Sequence, residues 1–217
     1  MKKIMFNDIF GLTEAVLSGR KTQTRRIVKG AHAGEIQTVD IINGVVHLVK
    51  NDYNESCNDD FDEYDDDGHI HLKIPYKVGE VVAVAQSYKD AGCDKLLTTI
   101  DVRNSYRLIK FGETAGWTNK MFVRADLMPH HIRITGVRVE RLQDISDEDC
   151  IKEGIICKWH APACRNYYYV PNEIINHTDK VHETTQEAYA ALIDKISGKG
   201  TWDSNPWVFV YDFELVD

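Results

Sequence analysis

The sequence lacks any apolar run near the roughly 20 residues that a helix needs to cross a bilayer. The apolar stretch behind Met1 is also too short for a secretory signal peptide. Its five cysteines are an odd number without the compact spacing of a disulfide framework. We therefore expect reduced thiols, a cytoplasmic location and no membrane partner.

No glycine-rich phosphate loop follows a strand, no internal repeat is visible, and the strands are irregularly spaced. These absences exclude a Rossmann or flavodoxin layout. A length of 217 residues is enough for a sizeable core in one domain. We predict a single α+β domain over residues 1–217, built on a barrel-like mixed sheet of curved strands with about three helices.

The sequence has fewer basic than acidic residues. It contains 26 Lys and Arg and 34 Asp and Glu, which gives a net charge of −8. Nine of the acids fall in residues 51–68, which contain no Lys or Arg, so the other residues carry +1. Such a stretch is typical of a mobile, solvent-exposed loop outside the core. A calcium loop and a mimic of nucleic-acid charge are the other interpretations, although the spacing is not that of an EF-hand.

Hydrophobic periodicity predicts the first elements. A strand at Lys3 to Phe6 leads into a helix with Ile9, Leu12 and Val16 on its apolar face and Gly19 as its stop. Further along, Asn43-Gly44 between two apolar runs indicates a hairpin. Residues 91–120 give no clear period.

The second half of the chain has clearer sequence patterns for strands and helices. A strand from Ile132 to Leu142 changes its inward parity at Gly136, which predicts a bulge or bend. Ser146 begins a helix that ends at Gly154. Residues 155–183 look irregular, and a helix at about 185–196 precedes a last strand at 207–216.

The densest polar segment is 19–26, Gly-Arg-Lys-Thr-Gln-Thr-Arg-Arg, with four cations and two hydroxyls directly after the predicted helix. Cations at a helix C-terminus complement its dipole, and threonines favour strands, which is one interpretation. The other is a site for an anion or a nucleobase. Glu153 is a second clue, because a negative charge in the last turn of a helix is unfavourable.

Two further clusters carry less information. Cys150, Cys157, His160 and Cys164 lack the paired C-x2-C spacing of a zinc site, so we predict ordinary thiols and no metal or other cofactor. Aromatic residues gather near the chain's second irregular segment and its last strand, where they either stack on bases or pack internally. They are Trp159, Tyr167, Tyr168, Tyr169, Trp202 and Trp207.

Four segments together resemble the ASCH domain of the PUA-like superfamily, in its phage- and prophage-type members. They are 19–26, Tyr-Lys-Val-Gly-Glu-Val-Val-Ala-Val (76–84), Val-Arg-Val-Glu-Arg-Leu-Gln-Asp-Ile-Ser (137–146) with Glu153-Gly154, and Trp-Asp-Ser-Asn-Pro-Trp-Val (202–208). The resemblance implies a PUA-like β-barrel with a cleft for RNA or a modified nucleoside. The ranges 28–73, 91–120 and 155–183 fall outside it and are expected to be insertions.

The chain is more distantly similar to small bacterial ASCH proteins that hydrolyse N(4)-acetylcytidine with a Lys, a Thr and a Glu. By motif, these residues fall on Lys21, Thr24 and Glu153. The resemblance thus implies an amidohydrolase for an acylated nucleoside. A non-catalytic RNA- or nucleotide-binding module and a phage-associated interaction protein stay open as alternatives, because a fold does not determine an activity. The expected substrate contacts are Arg20, Thr22, Arg25 and Arg26.

In the catalytic interpretation, Thr24 is the nucleophile, with Thr22 in reserve, and Lys21 is its base. Neighbouring arginines and partial burial would lower the pKa of Lys21. Residues three apart face opposite sides of a strand, so Lys21 must lie in the turn after Gly19. We expect Lys21, Thr24 and Glu153 to meet at the rim of one cleft, with the strand from Ile132 beside Thr22 and little effect of their substitution on folding.

Overall fold

A computed structural model describes residues 1–28, 36–42, 45–50, 69–93, 98–102, 105–109, 112, 114–172 and 181–216. The described part is α+β, with four α-helices and twelve strands. The helices are α1 (Leu12–Leu17), α2 (Asp147–Lys152), α3 (Thr185–Ser197) and α4 (Thr201–Ser204). None of the described helices is both long and apolar enough to cross a membrane.

Five strands form the central mixed sheet: β1 (Lys3–Ile4), β2 (Gln23–Ile27), β6 (Val81–Val84), β9 (His131–Arg141) and β12 (Trp207–Leu215). Their order in the sheet is β1-β6-β9-β12-β2. Strands β1 and β6 are parallel, and the other neighbours are antiparallel. Because β12 lies between β9 and β2, the expectation that the strand from Ile132 runs beside Thr22 is wrong.

Among the described residues this sheet is open, so the predicted closed barrel is not what forms. The edges are β1 and β2. The first strand has only two residues before the chain turns toward α1, which leaves too little backbone to pair with β2. The edges still approach each other, because Arg26 Nη2 on β2 donates to Met5 O just beyond β1 at 2.6 Å. The sheet is therefore curled but not hydrogen-bonded into a barrel.

A bulge in β9 confirms the predicted break at Gly136. Gly136 pairs with Asp212, whereas Phe213 pairs with Ile134, so Thr135 is the extra residue. A bulge of this kind reverses the side-chain alternation beyond it. Arg138 consequently shares the face of Asp212.

The remaining strands form smaller sheets. One comprises β3 (Ile36–Ile42), β4 (Val45–Lys50) and β5 (His69–Lys73), and two are hairpins, β7 (Thr98–Val102) with β8 (Ser105–Ile109) and β10 (Ile156–His160) with β11 (Arg165–Tyr169). Residues 155–183, expected to be irregular, thus contain a regular hairpin. The predicted hairpin at Asn43-Gly44 is confirmed by the pairing of its strands, although the two turn residues lie outside the described ranges. The acidic stretch 51–68 also lies outside them.

The main core is formed by the central sheet with helices α1, α2 and α3. Leu12 and Val16 of α1 are buried in it as predicted, but Ile9 is 77% exposed. The helix begins only at Leu12, so Ile9 precedes it and does not share its apolar face. The helix therefore begins about one turn later than its apolar spacing predicts.

The contrast between Ile9 and Leu12 gives a test of this helix boundary. Leu12→Ala removes a buried side chain and should lower the free energy of unfolding by about 2–5 kcal/mol. Ile9→Ala should change it by less than about 0.5 kcal/mol, as at exposed positions generally. Urea denaturation followed by circular dichroism measures both. Equal losses in the two variants would show that the helix extends back to Ile9.

Candidate functional site

The segment that joins α1 to β2 places Lys21 in a turn. Gly19 adopts a left-handed conformation with φ of 70° that favours glycine, and its N–H donates to Val16 O. Lys21 N then donates to Ala15 O at 2.8 Å, and β2 begins only at Gln23. Lys21 and Thr24 are therefore not constrained to opposite faces of one strand.

Helix α2 brings Glu153 to the same place. Ser146 caps the helix by accepting from Asp149 N, and Glu153 is the residue at its C-terminal end. Gly154 follows with φ of 111°, and a Cβ there would lie 3.3 Å from Leu12 Cδ2. The ends of the two segments are joined by a bond from Thr22 N to Lys152 O at 3.0 Å. Residues 132 positions apart thus become neighbours.

Lys21 is 2% exposed, and its ammonium group is fully hydrogen-bonded. Nζ donates to Gln23 O at 2.7 Å, to Glu153 O at 2.8 Å and to Glu153 Oε2 at 2.5 Å. Three acceptors match the three donors of an ammonium. Burial lowers the pKa of Lys21 more than the adjacent Glu153 raises it.

Arg25 holds Glu153 from the other side. Its side chain has no exposed surface, and Nη1 lies 3.3 Å from Glu153 Oε1. Nη2 donates to Glu140 Oε1 at 2.6 Å and to Asp149 Oδ2 at 3.0 Å. The charge of Arg25 is thus used internally. Arg25 also lines the pocket, so its role as a substrate contact stays a prediction.

A pocket of about 320 Å³ opens beside this pair. Its polar wall contains all three residues expected to be catalytic, together with Arg25 and Arg26, and its apolar wall is formed mainly by α3 and the segment around Phe6. Along α3, the lining runs from Tyr189 to Ser197, about 12 Å at 1.5 Å per residue. The polar residues that line it are Lys21, Thr24, Arg25, Arg26, Glu153, Asn7 and Ser197.

Thr24 and Arg26 share one face of β2. Thr24 is 5% exposed, and it is not among the acceptors of Lys21. The Arg26 guanidinium lies 5.7 Å from the centre of the Phe6 ring. Arg26 Nε is buried and, among the described residues, has no hydrogen-bond acceptor. Arg26 Nε is thus one of the unsatisfied buried donors of the described part of the chain.

Two of the expected contacts lie elsewhere. Arg20 and Thr22 are not among the lining residues. Arg20 Nη1 donates instead to Gly154 O at 3.0 Å, and the Thr22 carbonyl accepts from Phe213 N. The cluster 19–26 is therefore divided between the pocket, the buried ion pairs and the surface.

The sequence pattern alone did not reveal the role of Arg138, which binds the same carboxylates that pair with Arg25. Arg138 donates to Glu140 at 2.9 Å, Asp149 at 2.5 Å and Asp212 at 2.9 Å. The available signal was the alternation of charge at positions 138 and 140 of a strand, together with the parity change at Gly136.

The four residues considered for zinc do not gather. Cys150 is buried, and burial raises the pKa of its thiol to about 12. Cys157 and Cys164 are exposed on the β10–β11 hairpin, and His160 accepts from Ala163 N there. In the described ranges, no group of three or more His, Cys, Asp or Glu side chains is arranged to hold a metal ion.

The chain matches no family model, no curated protein and no solved structure. The likeness to the ASCH domain is therefore carried by the four sequence segments alone, and the roles of the pocket residues stay predictions.

Burial of the charges revises the expected tolerance to substitution. Lys21→Ala leaves Glu153 buried with one partner fewer, and such losses cost about 3–5 kcal/mol. Arg20→Ala, at the exposed neighbouring position, should cost less than about 1 kcal/mol. The double substitution Lys21→Met with Glu153→Leu should recover part of the loss, because no buried charge of the pair is left. Thermal unfolding compares the three, and equal effects of Lys21→Ala and Arg20→Ala would contradict the buried pair.

Proposed function

We propose that the pocket binds an N-acylated nucleoside and hydrolyses its amide bond, with N(4)-acetylcytidine as the first candidate substrate. The observation that carries this proposal is the meeting of Lys21, Glu153 and Thr24 at one pocket. The volume of about 320 Å³ lies at the lower end of small-molecule sites, which span roughly 300–1,000 Å³. Its apolar walls suit a nucleobase and a short acyl group.

The reaction begins with Lys21 in its neutral form. Burial lowers the pKa of Lys21, so that Nζ can lose a proton to the solvent, while Glu153 Oε2, 2.5 Å away, holds Nζ in place. The neutral Lys21 Nζ then takes the proton of the Thr24 hydroxyl while Thr24 Oγ1 bonds to the acyl carbon. The π electrons of the carbonyl group move to its oxygen, which gives a tetrahedral intermediate with an oxyanion.

Arg26 is the cation we assign to that oxyanion, because it lines the pocket next to Thr24. Collapse of the intermediate breaks the C–N bond, and the departing amine takes the proton held by Lys21. The acyl group remains on Thr24 as an ester. Lys21 then takes a proton from water as the water oxygen bonds to the ester carbon. The C–O bond to Thr24 breaks, Lys21 returns the proton to Thr24 Oγ1, and the carboxylic acid is released.

We also propose that the domain is a member of the ASCH family with a PUA-like fold whose barrel is incompletely closed. Two features support this. The motif residues of segment 19–26 and Glu153 adjoin one pocket, and Arg26 bridges the two edges of the curled sheet through Met5 O. A cytoplasmic location, where nucleosides from RNA turnover occur, belongs to the same proposal.

The nucleophile is tested by a matched pair of threonines. Thr24→Ala should lower the turnover of N(4)-acetylcytidine by at least about 10²-fold, because the attacking hydroxyl is lost. Thr22→Ala removes the same group two residues away, outside the pocket, and should retain near-normal turnover. Chromatography measures the cytidine released. Binding of the intact compound by calorimetry, with no cytidine formed, would favour a binding module instead. Equal loss in both variants would contradict Thr24 as the nucleophile.

The pH dependence tests the base. Activity requires neutral Lys21, so kcat/KM should rise with pH through the pKa of Lys21, which burial places below the ordinary lysine value. Lys21→Arg keeps the positive charge but cannot lose its proton near neutral pH. It should therefore lose turnover by about 10²-fold or more across the profile, while Arg20→Lys serves as the neighbouring control. An active Lys21→Arg enzyme, once its folding is verified, would exclude Lys21 as the base.

A further inference from the structure

The β10–β11 hairpin presents a face that the pocket does not use. Five residue pairs align its strands, from Ile156 with Tyr169 to His160 with Arg165. Directly paired residues of an antiparallel ladder share a face, and alternate pairs lie on the same side. One face therefore carries Lys158, His160, Arg165, Tyr167 and Tyr169.

This face is turned away from the core. Tyr168 belongs to the opposite face and packs against the main core, and its backbone bonds to His182 in both directions. Because side chains alternate, Tyr167 and Tyr169 lie on the side away from Tyr168, and both are half-buried. Lys158 and Arg165 are exposed beside them.

The cations and rings of this face are already paired with each other. The Arg165 guanidinium lies 4.6 Å from the centre of the Tyr167 ring, and Lys158 Nζ lies 5.9 Å from that of Tyr169. His160 and Tyr167 are in edge contact with centres 5.4 Å apart. Alternating aromatic and cationic groups are the usual platform for stacked bases with a phosphate backbone beside them.

The charge of the surrounding sequence favours the same kind of partner. Residues 154–172 contain no Asp or Glu and include Lys158 and Arg165, in a chain of net charge −8. By contrast, two of the cations expected to meet a phosphate backbone, Lys21 and Arg25, are buried and paired with carboxylates. The hairpin therefore presents exposed cations beside aromatic rings, and Glu183 is the acidic partner of Arg165 there.

We propose that the outward face of the β10–β11 hairpin binds single-stranded nucleic acid, with bases stacked on Tyr167 and Tyr169 and phosphates beside Lys158 and Arg165. This surface is distinct from the pocket and does not depend on hydrolysis. A binding site for a protein would have a continuous apolar centre, whereas here each ring has a cation over it.

The test uses a fluorescein-labelled oligouridylate of about a dozen nucleotides, a length within the usual site sizes. Fluorescence anisotropy measures its affinity at about 50 mM and about 200 mM salt. Tyr167→Ala and Tyr169→Ala should each weaken binding at least about 5-fold. Trp159→Ala removes an exposed ring from the opposite face of the same hairpin and should change affinity less than about 2-fold.

Arginine provides the charge control. Arg165 and Arg133 have equally exposed side chains, at 51%, and each pairs with one surface glutamate. Arg165→Gln should reduce both the affinity and its salt dependence, whereas Arg133→Gln on β9 should leave both unchanged. Melting curves verify that each variant is folded. Absent binding at the lower salt concentration, or equal losses with Arg133→Gln or Trp159→Ala, would overturn the proposal.

Discussion

The structure depends on the neutralisation of one buried carboxylate, Glu153. An isolated charge in the interior costs several kcal/mol or more, so Glu153 can be buried only where cations meet it. Lys21 and Arg25 approach it from opposite sides, one from the turn after α1 and one from β2. This requirement fixes the end of α2 against the edge of the sheet, and the pocket is the space left beside that junction.

A second layer of charges holds Arg25 in place, and the bulge in β9 makes it possible. Without the extra residue Thr135, Arg138 and Glu140 would lie on the face of Phe209 and Tyr211. The bulge turns them to the face of Asp212, which is also the face that carries Arg25. Glu140 then accepts from Arg25, and Arg138 connects Glu140 with Asp212. A local backbone irregularity thus determines which side chains orient the pocket.

Local patterns predicted much of this arrangement. The strand parity change at Gly136, the start of α2 at Ser146 and the position of Lys21 in a turn all follow from short-range rules. The long-range features do not. The place of β12 between β9 and β2 is set by pairing across the whole chain. The burial of Lys21 and Arg25 depends on carboxylates more than a hundred residues away, so its full extent does not follow from segment 19–26 itself.

The same charges decide whether the pocket can do more than bind. Glu140 and Asp149 satisfy Arg25, which leaves Lys21, Arg26 and Glu153 to set the charge at the pocket wall. Two cations beside one carboxylate favour loss of a proton from the buried lysine, since an added positive charge lowers a neighbouring pKa, and Arg26 acts on Lys21 in this direction. In the proposed reaction, this balance of charges brings Lys21 nearer to the neutral form in which it can act as the base.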